Sequence, residues 1–221
     1  MPEPHTNIRR LPPLTTEQRE LAELYQSRIT LLEQLSANLE AKALEALHGL
    51  PHVDRISFRV KSGTSFARKC LPSGGDAVYA DPLSEVEDQV AGRILVFFEH
   101  DLAVVEERLQ GWFTGIIEAQ KKRPPTAAEF GYESDHYIIV IDEHLKPVGW
   151  DEGPTMPATF ELQIRTLFMH AYAEPQHDLG YKGADVTDDH RRLLAWVASS
   201  AWGADRMFED TWKALSAPRR A

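Results

Sequence analysis

Cysteine is nearly absent from this sequence: Cys70 is the single one among 221 residues. One cysteine excludes an internal disulfide and fits a protein that works in a reducing cytoplasm. Long hydrophobic runs are also missing, because the longest, such as residues 94–98, suit a buried strand and are too short to cross a membrane. Residues 1–14 contain no apolar segment typical of a secretory signal. We therefore expect a cytoplasmic protein without a membrane partner.

Positive charge is scarce as well. The chain has 34 acidic and 24 basic residues, a formal net charge of −10. Proteins that follow a nucleic-acid backbone usually need a basic surface, since phosphate neutralisation dominates their affinity. The acidic excess argues against broad nucleic-acid binding but allows a local basic pocket. Neither a Gly-x-x-x-x-Gly-Lys loop nor a Gly-x-Gly-x-x-Gly loop occurs, so P-loop and Rossmann chemistry have no support.

Hydrophobic periodicity predicts the order of helices and strands. Thr15 or Thr16 suits the N-cap of one long amphipathic helix that runs to about Leu47 and is stopped by Gly49 and Pro51. Further on, the pattern predicts strands at 56–60, 90–98, 136–141 and 160–165, helices at 65–70, from 101, from 167 and at 188–215, and a basic, proline-broken loop at 121–125. This alternation predicts an α+β fold, a mixed β-sheet of about five strands flanked by helices.

Three separated segments carry polar residues on strand faces whose other side is apolar. They supply Arg59, Lys61 and Lys69, then Asp88 and Arg93, then Glu161, Gln163 and Arg165. Residues two apart on a strand point to the same side, so the last three share a face. Two carboxylates with five cations match Mg²⁺-dependent transfer of a phosphate-bearing group, because magnesium binds one or two carboxylates together with phosphate oxygens. Structural salt bridges on a half-exposed sheet remain the alternative from spacing alone.

The order of these motifs resembles the synthetase domain of the RelA/SpoT family. The matching segments are 59–69 (RVKSGTSFARK), 88–93 (DQVAGR), 131–136 (GYESDH), 161–166 (ELQIRT) and 176–182 (QHDLGYK). The resemblance covers about 59–183 and implies a RelA/SpoT synthetase (nucleotidyltransferase-like) fold. It also implies a reaction in which a ribose 3′-oxygen attacks the β-phosphorus of ATP and AMP leaves.

The resemblance further implies a role for each matching position. On the ATP side, Arg59 and Arg93 resemble the pair that sandwiches adenine, and the phosphate ligands are Lys61, Ser65 and Lys69. Asp88 resembles the Mg²⁺ ligand, and Glu161 resembles the second carboxylate and a candidate base for the 3′-hydroxyl. On the acceptor side, Tyr132 resembles the ring that stacks on the acceptor base, with Ser134, His136, Gln163 and Arg165 lining the site.

The acceptor side departs from the pattern of many relatives, which place a lysine and an asparagine before the Gly-Tyr pair. Here Ala128 and Phe130 stand at those positions, with Lys121, Lys122 and Arg123 as compensating cations. This pattern resembles the toxic branch of stand-alone small synthetases, which implies an antitoxin as a partner. Two acceptors stay open: a purine nucleotide (GDP, GTP or an adenine nucleotide) and the 3′-CCA end of tRNA.

We predict four parts: a disordered segment at 1–14, an N-terminal helix at 15–50, the synthetase domain at 51–185, and a C-terminal helical extension at 186–221. The apolar residues of the last part, including Trp196, Trp202 and Trp212, are expected mainly in the core, with docking as the alternative. Two other function classes remain open. One is a non-catalytic nucleotide-binding regulator, and the other is an assembly module that uses the terminal helices, with a homo-oligomer as a possible state.

Overall fold

The computed structural model describes residues 12–72, 76–113, 115–124, 126, 129–131, 133–150, 155–181 and 187–217. Their elements in chain order are α1 (Thr16–Gln26), α2 (Ile29–Ala46), β1 (Val53–Val60), α3 (Gly63–Cys70), α4 (Pro82–Glu85), β2 (Val90–Val96), α5 (Glu99–Gln110), β3 (Ile116–Lys122), β4 (Ser134–Val140), β5 (Thr159–Thr166), α6 (Leu167–Tyr181) and α7 (Asp188–Ser216). Short 3₁₀ turns lie at Glu87–Gln89 and Glu143–Leu145. Residues 1–11 of the predicted disordered segment lie outside the described part of the chain. The division of the chain into four parts stays a prediction.

The five strands form one mixed sheet in the order β1-β2-β5-β4-β3. β2 and β5 run parallel, and the other neighbours are antiparallel. The predicted α+β fold with a mixed five-stranded sheet is therefore confirmed. Because β2 and β5 are parallel neighbours, the turn before β2 and the first residues of β5 lie at the same end of the two strands. Within the described residues, no helix has the length and apolar content to span a membrane.

The core fills the space between one sheet face and the helices α2 and α5. Leu35 and Leu39 of α2 and Ile94 and Leu162 of the sheet are completely buried there. Gly92 lies on this face, where an added Cβ would come within 2.4 Å of the Phe58 ring and 2.7 Å of Leu162. The apolar face is thus committed to the core, and the alternate residues of each strand face the other way.

The predicted long N-terminal helix is wrong in one respect, because it is broken at Ser27 and Arg28. Its N-cap is Thr15, as predicted, and Thr15 forms a capping box with Gln18. The Ser27 hydroxyl donates to the Leu24 carbonyl at 2.7 Å, and the Arg28 side chain is buried with Nη2 donating to the Leu83 carbonyl at 3.3 Å. The break thus coincides with a long-range contact of Arg28, which the periodic pattern does not show.

The predicted loop at 121–125 begins too early, since Lys121 and Lys122 belong to β3. They pair with Asp135 and Ser134 of β4, so the backbone ladder overrides the basic, proline-rich composition. The helix expected from Asp101 also begins two residues earlier, at Glu99. Asp101 lies inside its first turn, and the Asp101 carboxylate accepts from the backbone N–H of Phe98 at 3.2 Å.

The expectation that the large apolar residues of the C-terminal helix lie in the core is largely wrong. The buried side of α7 consists of two small residues, Ala198 and Ala201, which pack with Met169 and Tyr172 of α6, and of two acidic residues, Asp205 and Glu209. Trp196 is 71% exposed, and the larger aliphatic side chains beside it are exposed as well. Alanines allow the two helix backbones to approach closely, which leaves the larger residues outside.

Candidate functional site

The polar face of the sheet brings together residues from separate segments of the chain. Directly opposed residues of neighbouring strands project from the same face of a sheet. One such row crosses the whole sheet and consists of Ser57, Arg93, Gln163, His136 and Gln120. Arg59 of β1 and Glu161 of β5 lie on the same face. Each is directly opposite Ala91 of β2, two residues before Arg93.

Asp88 lies in the turn just before β2 and is held by two lysines. The Nζ atoms of Lys61 and Lys69 each lie 2.8 Å from one of its carboxylate oxygens. Lys61 directly follows β1, and its backbone N–H bonds the Gln89 carbonyl at 2.8 Å, so the β1–β2 ladder positions it. Burial lowers the pKa of Lys69, but the bond to Asp88 outweighs this and raises it. Two ammonium groups on one carboxylate leave local positive charge for an anionic ligand.

The helix α3 supplies Lys69 and Ser65 from the same side, because they are four residues apart. Ser62 caps this helix: its hydroxyl accepts from the Ser65 backbone N–H at 3.2 Å and donates to the Ser65 hydroxyl at 2.9 Å. Gly63 lies against α1, where a Cβ would come within 3.1 Å of the Ala22 carbonyl oxygen. Lys61 lies just before the N-terminus of α3, where the first backbone N–H groups of the helix favour anions.

Glu161 is held by side chains of β4 and β5. His136 Nδ1 and Gln163 Nε2 each lie 2.6 Å from Glu161 Oε1, and Arg165 donates in turn to the Gln163 side-chain oxygen. Burial raises the pKa of Glu161, but the hydrogen bonds from His136 and Gln163 outweigh it and bring the pKa down to about 2. Glu161 is therefore ionised throughout the neutral range.

Arg93 pairs with a residue that sequence reasoning missed, Glu174 of α6. Its Nη2 atom lies 2.9 Å from Glu174 Oε1, and Arg165 and His170 lie 3.8 Å from the same oxygen. The i,i+4 spacing of His170 and Glu174 gives a weak signal, but the sequence does not say that α6 turns them towards β2. Because Glu174 is half exposed, this pair is weak and open to exchange with a ligand.

The predicted acceptor residues have different surroundings. Ser134 and Arg165 are buried against each other, with Arg165 Nε donating to Ser134 Oγ at 3.1 Å, so they support the site more than they line it. Tyr132 and Ala128 lie outside the described residues. Phe130 packs its ring against Trp202 of α7, with ring centres 5.6 Å apart.

The three compensating cations lie on different sides of the sheet. Lys121 Nζ is 3.2 Å from Glu106 of α5, and Arg123 Nη2 is 2.7 Å from Asp135, so both bind carboxylates of the chain itself. Lys122 projects to the polar face opposite Ser134, is exposed, and its charge adds to the low pKa of Glu161.

Comparison with known proteins identifies the family of this chain. The model of the region found in RelA/SpoT proteins matches residues 58–186, more than half of the chain. This chain belongs to the RelA/SpoT family. The matched region contains both carboxylates, Asp88 and Glu161, and the cations Arg59, Lys61, Lys69, Arg93 and Arg165, which agrees with the family named from the motifs.

Individual relatives support the same family. GTP pyrophosphokinase YjbM of Bacillus subtilis (strain 168) is 30% identical over 132 residues, which cover 58% of this chain and 59% of that protein. The small alarmone synthetase 1 from Bacillus subtilis has a similar structure, with a TM-score of 0.71 and 20% identity over 87% of this chain and 98% of its own. A second structure of that synthetase, bound to its product pppGpp, has a TM-score of 0.70 and 18% identity over 88% of this chain and 100% of its own. These structural matches show that the RelA/SpoT chain has the small-synthetase fold.

Proposed function

We propose that this RelA/SpoT chain is an ATP-dependent pyrophosphokinase. It transfers the β,γ-diphosphate of ATP to the 3′-hydroxyl of a purine nucleotide, and AMP leaves. The observation that carries the proposal is that Lys61 and Lys69 both bind Asp88 at the end of β2 and β5 where Glu161 also lies. The names of the relatives, a GTP pyrophosphokinase and a synthetase bound to pppGpp, support the same chemistry.

The adenine of ATP fits between Arg59 and Arg93. Arg59 opposes Ala91, and Arg93 stands two residues further along β2 on the same face, which makes the two arginines diagonal neighbours. Diagonal neighbours of an antiparallel pair are roughly 7–8 Å apart, enough for one flat ring between two guanidinium planes. The pair of Arg93 with half-exposed Glu174 is weak enough to yield to this contact.

The triphosphate of ATP fits at Lys61, Lys69 and the N-terminus of α3. Phosphate oxygens offer both lysines an alternative to Asp88 and suit the N–H groups at the start of the helix. Asp88 and Glu161 lie at the same end of β2 and β5. Two such carboxylates are the donor set that Mg²⁺ prefers when substrate phosphates complete its coordination shell. Bound Mg²⁺ would neutralise charge on the transferred diphosphate.

The 3′-hydroxyl of the acceptor fits beside the Glu161–His136 pair. As its oxygen bonds the β-phosphorus, the bond from that phosphorus to the α-phosphate oxygen breaks and the hydroxyl proton passes to the pair. A base works best with a pKa near the operating pH, and the pKa of Glu161 is about 2 in the ligand-free chain. In the ligand-free chain Glu161 is therefore better suited as a metal ligand than as the base.

A free purine nucleotide is the acceptor that the charges favour. Lys122 is exposed on the polar face near Glu161 and suits a 5′-phosphate, and the net charge of −10 disfavours a long RNA. The 3′ end of tRNA is the second candidate, because Phe130 faces Trp202 and offers no polar group to a diphosphate. Growth inhibition as a toxin, with an antitoxin partner in the cytoplasm, belongs to either version of the proposal.

Incubation with γ-labelled ATP, Mg²⁺ and separate acceptors tests the proposal. GDP, GTP, ADP, ATP and bulk tRNA are supplied one at a time, and the label is followed into small products or RNA. We expect label in a purine nucleotide, and loss of transfer by at least a hundredfold in Asp88→Asn and Glu161→Gln. Glu107→Gln, an exposed carboxylate of α5, is the matched control and retains activity. Transfer that survives both site substitutions would disprove the assignment.

A further inference from the structure

A second cluster of chemically active side chains lies at the other end of the β1–β2 pair from Asp88. His52 precedes β1, and His100 and Asp101 lie in the first turn of α5 after β2. The length of β2, roughly 20 Å, separates this cluster from the nucleotide site. His52 Nδ1 is 3.2 Å and His100 Nε2 is 3.4 Å from Asp101 Oδ1, and one ligand atom from each of the three residues lies within 4.8 Å of the others.

These separations match those of ligands that share one metal ion. Zinc binds imidazole nitrogen and carboxylate oxygen at 2.0–2.1 Å in tetrahedral geometry, so two of its ligand atoms are about 3.3 Å apart. Both distances from Asp101 Oδ1 agree with this value. Two histidines with one carboxylate also form a donor set typical of zinc and neighbouring transition metals, and not of Mg²⁺ or Ca²⁺.

Glu209 of α7 sets the orientation of His100. The His100 Nδ1 atom lies 2.8 Å from Glu209 Oε2, and Glu209 is only 3% exposed. A proton on Nδ1 leaves the lone pair of Nε2 facing the carboxylate oxygen of Asp101 at 3.4 Å. This geometry is that of two ligand atoms that face one shared cation. A carboxylate that holds the far nitrogen of a histidine is the usual outer support of a metal ligand.

The backbone and the aromatic neighbours hold the cluster in place. His52 has a φ of +65°, a left-handed conformation that is uncommon for a residue other than glycine and clusters at functional sites. The His100 ring lies 5.4 Å from Phe98 and 4.2 Å from Trp212, centre to centre. An apolar surround lowers the local dielectric constant and strengthens binding of a cation to its carboxylate.

We propose that the chain binds one zinc-class transition-metal ion through His52 Nδ1, His100 Nε2 and Asp101 Oδ1, with Glu209 as the supporting carboxylate. The ion ties together the turn before β1, the start of α5 and, through Glu209, the helix α7. The partial positive charge at the N-terminus of α5 opposes a cation there, and the carboxylates of Asp101 and Glu209 offset it. Three protein ligands leave a fourth position for water or another donor.

Titration of the untagged, chelator-treated full chain with Co²⁺ tests this site. We expect one equivalent to bind with the visible absorption of a tetrahedral complex, Zn²⁺ to displace it, Mg²⁺ not to compete, and Zn²⁺ to raise the melting temperature. His52→Asn and Asp101→Asn should weaken binding at least a hundredfold, and Glu209→Gln about 10–100-fold.

The variants are chosen to preserve the fold. Asparagine tolerates the left-handed backbone at 52, and an amide at 101 still accepts from the Phe98 N–H. His48→Asn, an exposed histidine four residues away, is the matched control and should bind as the wild type does. Absence of stoichiometric Co²⁺ and Zn²⁺ binding by the wild type would overturn the proposal. Equal competition by Mg²⁺ or unchanged binding in His52→Asn would overturn it too.

Discussion

His136 Nδ1 lies 2.6 Å from Glu161 Oε1, and this bond joins neighbouring antiparallel strands on the polar face of the sheet. The bond, with a second one from Gln163, brings the pKa of Glu161 from its ordinary value of 4.5 to about 2 in spite of burial. The ionised form of Glu161 is thus part of the folded state. Stability and the proposed chemistry both depend on the same carboxylate.

Glu161→Gln should change the pH dependence of stability. A carboxylate whose pKa is lower in the folded than in the unfolded chain stabilises the fold above its unfolded pKa, and this is lost as pH falls through the folded pKa. We therefore expect up to about 3 kcal/mol of unfolding free energy from Glu161 at pH 7, lost between about pH 5 and pH 2. Urea unfolding of wild type and variant between pH 7 and pH 3 measures it. A difference that stays constant with pH would contradict the low pKa, and Glu107→Gln is the control.

Asp205 of α7 predicts the opposite pH dependence. It is 4% exposed; burial raises its pKa to about 7, against the 2.7 Å bond from Thr166. As pH rises from about 4 to 7, the Asp205 carboxyl ionises in the unfolded chain while it stays protonated in the folded chain. The free energy of unfolding therefore falls over that range. Asp205→Asn should therefore raise the unfolding free energy at pH 8 by about 1–3 kcal/mol and have little effect near pH 4. Thermal melts of both proteins, with exposed Asp210→Asn as the control, check this, and a destabilised variant at pH 8 would refute it.

Lys122 and Lys121 form a matched pair for the acceptor. Lys122 projects to the polar face, whereas Lys121 bonds Glu106 on the other side of the sheet. Loss of a charge-assisted bond to phosphate costs about 1.5–3 kcal/mol, so Lys122→Gln should raise the KM for the nucleotide acceptor roughly 10–100-fold, with the KM for ATP unchanged. Lys121→Gln should change neither by more than about threefold. Steady-state kinetics with each substrate varied decides, and equal effects of the two substitutions would refute the assignment of Lys122.

Gly92 and Gly203 test the packing behind the site. A methyl group at 92 would collide with Phe58 and Leu162, whereas Gly203 of α7 has open space around it. We expect Gly92→Ala to destabilise the protein by about 1–3 kcal/mol through overpacking. Gly203→Ala should stabilise it by up to about 1 kcal/mol, since alanine is the better helix former. Urea midpoints measure both, and a neutral Gly92→Ala would show that Phe58 can move aside.

Local pattern was sufficient for four of the five strands and for the polar residues on them, but not for β3, whose residues 121 and 122 were predicted as a loop. Along β5 the burial of Phe160, Leu162 and Ile164 alternates with the more open Glu161 and Gln163, as the period of two predicts. Strand pairing then places Gln163 beside Arg93 and His136. The motif order therefore predicted both the family and the residues that come together on this face.

What the sequence did not reveal depends on contacts between distant segments. The first helix breaks at Ser27 and Arg28, where Arg28 bonds the Leu83 carbonyl, 55 residues away. Glu174 meets Arg93 only because α6 packs over the sheet. Trp196 is exposed because Ala198 and Ala201 form the contact with α6, a choice of face that a helix with apolar residues on several sides does not specify.

The most direct test of the account is the stoichiometry of nucleotide products. Purified protein with Mg²⁺, ATP and a purine nucleotide should form AMP and the 3′-diphosphorylated acceptor in equal amounts, and neither should form with Asp88→Asn. This result would agree with attack at the β-phosphorus in a site built on Asp88, Lys61 and Lys69. Formation of ADP in place of AMP, or no transfer to any nucleotide or tRNA, would contradict it.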